Sequence, residues 1–84
     1  MRSTHFHKPV IIQPGRIDRD RVVTTVAEAA QILIHQWPAP KCDKRRAAMQ
    51  ACLDVIRGER TPGHARLAFI DAAKQARIFV DDVA

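Results

Sequence analysis

The sequence has little of several residue types on which common folds and activities depend. It contains two cysteines, one tryptophan, three phenylalanines and no tyrosine, and Ser3 is its single serine. Cys42 and Cys52 form neither a Cys-x-x-Cys pair nor a disulfide framework, which argues against a disulfide or a structural metal. With so few aromatic residues, no strand carries a pair of rings on which nucleic-acid bases could stack.

Long apolar runs are also missing. No stretch approaches the roughly 20 apolar residues that a membrane-spanning helix needs. The first seven residues include Arg2 but no apolar segment of the kind that secretory signal peptides carry. These absences predict a cytoplasmic protein with no membrane partner.

The small size and the positive charge of the chain narrow the choice of partners. Its 84 residues predict a single domain, 1–84, which buries only about 60–65% of its unfolded surface. We therefore expect it to associate with itself, as a homo-oligomer, or with another protein. The formal net charge of +5 favours acidic partners and keeps nucleic acid among them.

The segment from Asp43 to Gly58 organises the predicted fold. At about 100° per residue, its apolar residues occupy well over half of the helix circumference. This pattern predicts a helix at about 43–57 that is buried on more than one side. Asp43 suits the N-cap, and Gly58 suits the left-handed residue that follows a last helical turn.

Two short strands precede the central helix. The β-branched residues at 10–12 predict a strand at about 8–13. The Pro14-Gly15 turn then leads to a second strand at about 20–24, so the two are expected to form a hairpin.

A first helix at about 26–36 follows the hairpin. Thr25 and Glu28 match a capping box, in which the Thr25 hydroxyl accepts from an orphan amide and the Glu28 carboxylate reaches back to the Thr25 amide. The helix must end before Pro38, which disfavours helical geometry at Trp37. As the single indole at a helix end, Trp37 is expected to be buried against the central helix.

A third helix and a last strand complete the chain. Thr61 suits an N-cap and Pro62 the first helical position, which predicts a helix at about 62–76 whose inner stripe is alanine-rich around Phe69. A short strand at about 78–81 follows. The predicted fold class is α+β, with a small antiparallel sheet (the N-terminal β-hairpin plus the short C-terminal strand) packed on three helices in the order β-β-α-α-α-β.

The order and spacing of these motifs resemble those of the domain of unknown function 982 family, a group of short alphaproteobacterial proteins that are common in rhizobia. The resemblance spans nearly the whole chain and rests on Pro9-Val10, Val26-x-Glu28-Ala29-Ala30-x-x-Leu33, Trp37-Pro38, Ala48-x-x-x-Cys52-Leu53, Gly58 and Ala65-Arg66-x-Ala68-Phe69-x-x-Ala72-Ala73. It implies a compact α+β domain and supplies no catalytic residues. Family members tend to have a glycine before the last apolar stretch, where this chain has Arg77.

No group of residues indicates catalysis or a cofactor. His5-x-His7 has a spacing compatible with a metal, yet no third ligand is near, so a frayed terminus explains it better. The capping box accounts for Glu28, and Arg57 is a helical ion-pair partner for Asp54. We therefore predict no catalytic residue, no metal site and no cofactor.

Two basic groups remain as candidate sites. Nucleic acid could bind at the start of the central helix, although the proline-rich link before it is too long for a helix-turn-helix; the residues are Lys41, Lys44, Arg45 and Arg46. A small anion could bind at the start of the third helix, where backbone amides are unpaired; the residues are Arg60, Thr61, Gly63, His64 and Arg66. The preferred explanation of the first group is an ordinary solvated basic surface, and that of the second is that Thr61 simply caps the helix while the arginines point into water.

The sequence thus favours a small cytoplasmic module without enzymatic activity that binds or regulates through protein contacts. Leu67 and Ile70 fall off the inner stripe of the third helix, so that helix is the expected homodimer interface. Nucleic-acid binding through the basic surface is the alternative, and small-anion binding is the second alternative.

Overall fold

In the part of the chain that the structure describes, a three-stranded antiparallel sheet and three helices form the α+β fold that the sequence predicts, in the order β-β-α-α-α-β. The computed structural model describes residues 5–13, 21–37 and 43–81. The elements are β1 (His5–Ile12), β2 (Arg21–Thr25), α1 (Val26–His35), α2 (Asp43–Ile56), α3 (Pro62–Gln75) and β3 (Phe79–Asp81). The predicted helices began at the same residues and ended one residue later.

Strand β1 lies in the middle of the sheet, between β2 and β3, and pairs antiparallel with both. It begins at His5, three residues before the predicted start, because the side chain of Phe6 is buried in the core and His5 pairs with Thr25. The expectation of a frayed terminus at residues 5–7 is therefore wrong.

One face of the sheet packs against the helices. Val10 and Ile12 of β1 and Val23 of β2 are fully buried on that face. The three meet the inner sides of α1 and α3, which also bury apolar residues completely. The core therefore lies between the sheet and the helices α1 and α3, and it continues between these two helices and α2, which packs on them.

Helix α1 begins with half of the predicted capping box. The Thr25 hydroxyl accepts a hydrogen bond from the Glu28 amide at 3.1 Å, as expected. The Glu28 carboxylate instead accepts from the hydroxyls of Thr24, at 2.9 Å, and Thr25, at 3.3 Å, whereas the Thr25 amide was its expected donor. The carboxylate therefore joins the end of β2 to the first turn of the helix.

The end of α1 places Trp37 in the core. The Gln36 amide donates to the Ile32 carbonyl at 2.9 Å, and Trp37 follows outside the helix with its side chain buried. Its ring lies 5.7 Å from that of Phe69, centroid to centroid, at 58° between the planes. The prediction that Trp37 is buried is confirmed, and α3 supplies its aromatic contact.

Helix α2 packs against both α1 and α3 but is not buried all round. Its buried residues form one stripe, Ala48, Ala51, Cys52 and Val55. Leu53 and Ile56 are instead 45% and 57% exposed, so the predicted extent of burial is wrong. Asp43 is the first helical residue and not the N-cap.

Helices α2 and α3 end in the same way. After α2, Gly58 has φ 82°, and the Glu59 amide donates to the Asp54 carbonyl at 2.7 Å. After α3, Arg77 has φ 61°, and the amide of Ile78 donates to the carbonyl of Ala73 at 3.0 Å. Both ends are Schellman motifs with a left-handed residue, which confirms the prediction for Gly58.

Candidate interaction surfaces

The predicted anion cluster at the start of α3 is only partly assembled. Thr61 occupies the N-cap position, but its hydroxyl makes no capping hydrogen bond. The His64 amide, one of the two expected to hold the anion, donates to the Thr61 carbonyl at 3.0 Å. Arg60 and His64 are exposed. A methyl group at Gly63 would meet only the Thr61 hydroxyl, at 3.8 Å, so this glycine is not required by close packing.

Arg66, which the sequence placed in this cluster, is buried and bonds to the backbone of β1. Its side chain is 5% exposed, and its Nε donates to the Lys8 carbonyl at 3.0 Å. A charged donor on a backbone carbonyl gives a strong hydrogen bond inside a protein. Arg66 therefore ties α3 to β1, whereas the sequence had placed it in the predicted anion site with Arg60.

The predicted nucleic-acid group at the start of α2 is divided in a similar way. Lys41 lies outside the described residues, and Lys44 and Arg46 are exposed. Arg45 donates from Nε to the Leu33 carbonyl at 2.7 Å. Because Leu33 is in the last turn of α1, its carbonyl has no partner within that helix, and a cation there also suits the helix dipole.

The described residues hold few groups with unusual chemistry. Among them, no three His, Cys, Asp or Glu residues lie close enough to hold a metal ion together. Cys52 is a free and fully buried thiol, and burial raises its pKa to about 11. Its neighbours make it a small apolar side chain of the core and not a nucleophile.

An apolar row crosses the face of the sheet that points away from the helices. Ile11 of β1 is directly opposite Val22 of β2, which is 50% exposed. On the other side of β1, Val80 follows Phe79, which packs on the core, and is itself 44% exposed. Ile12 pairs with Phe79 and Ile11 with Asp81, so a β-bulge places Val80 and Asp81 together opposite Ile11, and the exposed Val80 lies on the outer face beside it. We call Ile11, Val22 and Val80 the outer sheet row.

A second apolar surface lies on α2. Met49, Leu53 and Ile56 follow one another at four and three residues, so they lie along one side of the helix. Met49 is partly buried against the core, whereas Leu53 and Ile56 are about half exposed. We call these three residues the α2 strip.

Neither surface was found from the sequence. Val22 and Val23 are both valines, so alternation alone does not show which one points to the core. On α2, the wide apolar arc predicted burial on more than one side, and Leu53 and Ile56 were counted within that arc although they are exposed. At α3, Ile70 is buried and Leu67 is 64% exposed, so only one residue of the predicted interface is at the surface.

Comparisons with known proteins agree with this fold. The structure is similar to the NMR structure of Agrobacterium tumefaciens protein Atu1219, a structural genomics target, with a TM-score of 0.78 and 31% sequence identity over 96% of this chain and 80% of that chain. None of the curated proteins matches. Within the described part of the chain, the helices are too short or too polar to cross a bilayer.

The family resemblance seen in the sequence is confirmed. The model of the family DUF982, described as a protein of unknown function, matches residues 8–80. That range begins within β1 and ends within β3, so it includes α1, α2, α3 and β2 entirely and most of the other two strands. The chain therefore belongs to the DUF982 family of proteins of unknown function.

Proposed function

We propose that this chain is a small binding module that acts through protein contacts, and that it forms a homodimer through the outer sheet row. The observation that carries the proposal is the row itself. Three aliphatic residues, one from each strand, lie side by side on a face that no described helix covers. Apolar patches of this kind on small domains mark contact sites more often than catalytic ones.

One cation near the sheet is turned away from this face, whereas Asp81 is the residue that pairs with Ile11 of the row. Arg21 pairs with Ile12, whose side chain points to the core, and its guanidinium donates to the Gln36 side chain at 3.1 Å. This arginine is therefore turned toward the helix side. A twofold axis would place the apolar row of one copy on that of the other, so that two sheets pack face to face.

The proposed activity is binding without catalysis, in the cytoplasm. The exposed aliphatic residues Val22, Val80, Leu53 and Ile56 support a role in binding. A free buried thiol such as Cys52 suits a reducing compartment, where disulfides are rare.

Light scattering coupled to size exclusion tests the dimer. We expect a dimer mass for the wild-type chain at about 100 μM and a monomer mass for Val22→Lys, because the lysine would place a charge in the apolar contact. Leu67→Lys is the matched control, since it changes an aliphatic residue on α3 that is even more exposed than Val22 and should leave the dimer intact.

Two results would contradict the dimer. A monomer mass for the wild-type chain up to about 500 μM would remove it altogether. If Leu67→Lys had a monomer mass and Val22→Lys a dimer mass, the interface would lie on α3, as the sequence had suggested.

Nucleic-acid binding is the alternative, and the exposed Lys44 and Arg46 favour it. Binding of duplex DNA should then weaken steeply with salt, and Lys44→Glu and Arg46→Glu should each weaken it further. Arg45 is not part of this alternative, because it bonds to α1. Small-anion binding at Arg60, Thr61 and Gly63 is the second alternative, which a phosphate titration followed by amide resonances would test.

A further inference from the structure

We infer that the α2 strip is a docking site for an acidic amphipathic segment of another protein. This partner and this surface are distinct from the proposed dimer, which uses the opposite layer of the molecule. The inference rests on the apolar strip, on the cations beside it and on the position of the nearest acidic residue.

Two of the three strip residues, Leu53 and Ile56, are not part of the buried core, whereas Met49 packs against it. Cys52 and Val55 show which side of α2 faces the core, since both are buried. Ile56 lies about 100° from Val55 around the helix, and Leu53 about 100° from Cys52. These two residues keep about half of their surfaces exposed. A helix with a single burial stripe has no reason of its own for aliphatic residues there.

Two cations border the exposed side of the strip. Arg46 precedes Leu53 by seven residues and Arg57 follows it by four, so both lie within about 40° of Leu53 around the helix. Both side chains are exposed. Asp54 lies farther round, and its carboxylate accepts a hydrogen bond from the Gln50 side chain at 3.0 Å.

This arrangement fits an acidic segment better than a second copy. An amphipathic helix lays apolar residues at three- and four-residue spacing against such a strip, and acidic residues beside them would meet Arg46 and Arg57. A second copy would instead bring the same two arginines to the contact. The net charge of +5 adds to that repulsion.

Two synthetic helical peptides test the inference. They share leucines at the apolar positions and carry either glutamates or lysines at all others. They are titrated into the isotopically labelled Val22→Lys chain, and into the wild-type chain for comparison, so that the result does not depend on the proposed dimer. We expect the acidic peptide to bind at least about tenfold more tightly than the basic one and to shift the resonances of Met49, Leu53 and Ile56.

Charge reversals on α2 give the matched comparison. The double change Arg46→Glu and Arg57→Glu should weaken binding of the acidic peptide at least about tenfold. Lys44→Glu should change it by less than about twofold, because Lys44 lies on the opposite side of α2 from Leu53. Leu53→Ser, with its fold checked by circular dichroism, should abolish binding.

Four outcomes would overturn the inference. They are no binding of the acidic peptide up to about 1 mM, equal binding of both peptides, an equal loss with Lys44→Glu, or shifts confined to residues away from the strip. Concentration-dependent shifts at Leu53 without peptide would assign the strip to a second copy. If Arg46→Glu weakened the binding of duplex DNA and Leu53→Ser did not, the arginines would be assigned to nucleic acid.

Discussion

At the scale of single residues, Trp37 joins the end of α1 to the core. Its side chain is buried against Phe69, and none of the described residues accepts a hydrogen bond from its buried indole Nε1. The stabilisation it provides therefore comes from apolar contact and not from its polar atom.

Two substitutions of Trp37 should separate the contribution of its buried ring to stability from that of its indole donor. We expect Trp37→Ala to lower the free energy of unfolding by about 3–5 kcal/mol, because it empties a large buried site. Trp37→Phe should cost clearly less, since it keeps a ring and removes a donor that has no acceptor among the described residues. Urea unfolding followed by circular dichroism measures both. Equal losses, or a solvent-like fluorescence maximum in the folded wild-type chain, would show that the indole is not packed in this way.

Cys52 should make stability depend on pH in the alkaline range. Burial raises its pKa from 9.0 to about 11, so the folded chain keeps the thiol proton to a higher pH than the unfolded chain. The resulting stabilisation is complete below about pH 9 and is lost as pH rises toward about 11.

A Cys42→Ser background, in which Cys52 is the single thiol, allows this to be measured. We expect the midpoint of urea unfolding to fall between about pH 9 and 11, and to fall less when Cys52→Ala is added. A thiol reagent should also label Cys52 at least about tenfold more slowly in the folded chain than in urea. The same alkaline decline with and without Cys52 would contradict the prediction.

At the scale of elements, the ends of α2 and α3 form a natural pair for comparison. Both use a left-handed residue, which costs an L-amino acid about 1–2 kcal/mol. Gly58 avoids this cost, whereas Arg77 bears it. A glycine also has a cost of its own: it lowers the free energy of unfolding by about 0.5–1 kcal/mol, because it loses more backbone freedom on folding than other residues do.

Substitutions at the two positions should therefore have opposite signs. We expect Arg77→Gly to raise the free energy of unfolding by about 0.5–1 kcal/mol and Gly58→Ala to lower it by about 1–2 kcal/mol. Urea denaturation of each variant against the wild-type chain is the measurement. Destabilisation by Arg77→Gly would mean that the arginine side chain contributes more than its backbone conformation costs.

At the scale of the whole molecule, features set by neighbouring residues can be predicted from the sequence, whereas contacts between residues far apart in the chain cannot. Pro62 and Gly58 mark helix ends through their own backbone preferences, so these ends could be predicted. Arg45 and Arg66 were interpreted as surface cations because nothing nearby in sequence binds them. Their partners are carbonyls 12 and 58 residues away, which only the folded chain brings close.

The same limit explains the error at the start of the first strand. Phe6 belongs to β1 because its ring reaches a core built by distant elements, and no local pattern marks it. The exposed surfaces were missed for the converse reason. An apolar residue such as Leu53 or Val22 predicts burial, and whether another element covers it is decided by the packing of the whole domain.

The central place of β1 has a consequence for the growing chain on the ribosome. The strand acquires one neighbour early, when β2 is made, but its other neighbour, β3, follows all three helices. Until synthesis passes Asp81, one edge of β1 has no strand to pair with. Such an edge is a template for other chains, so this protein is most prone to mispairing in the interval before its last strand emerges.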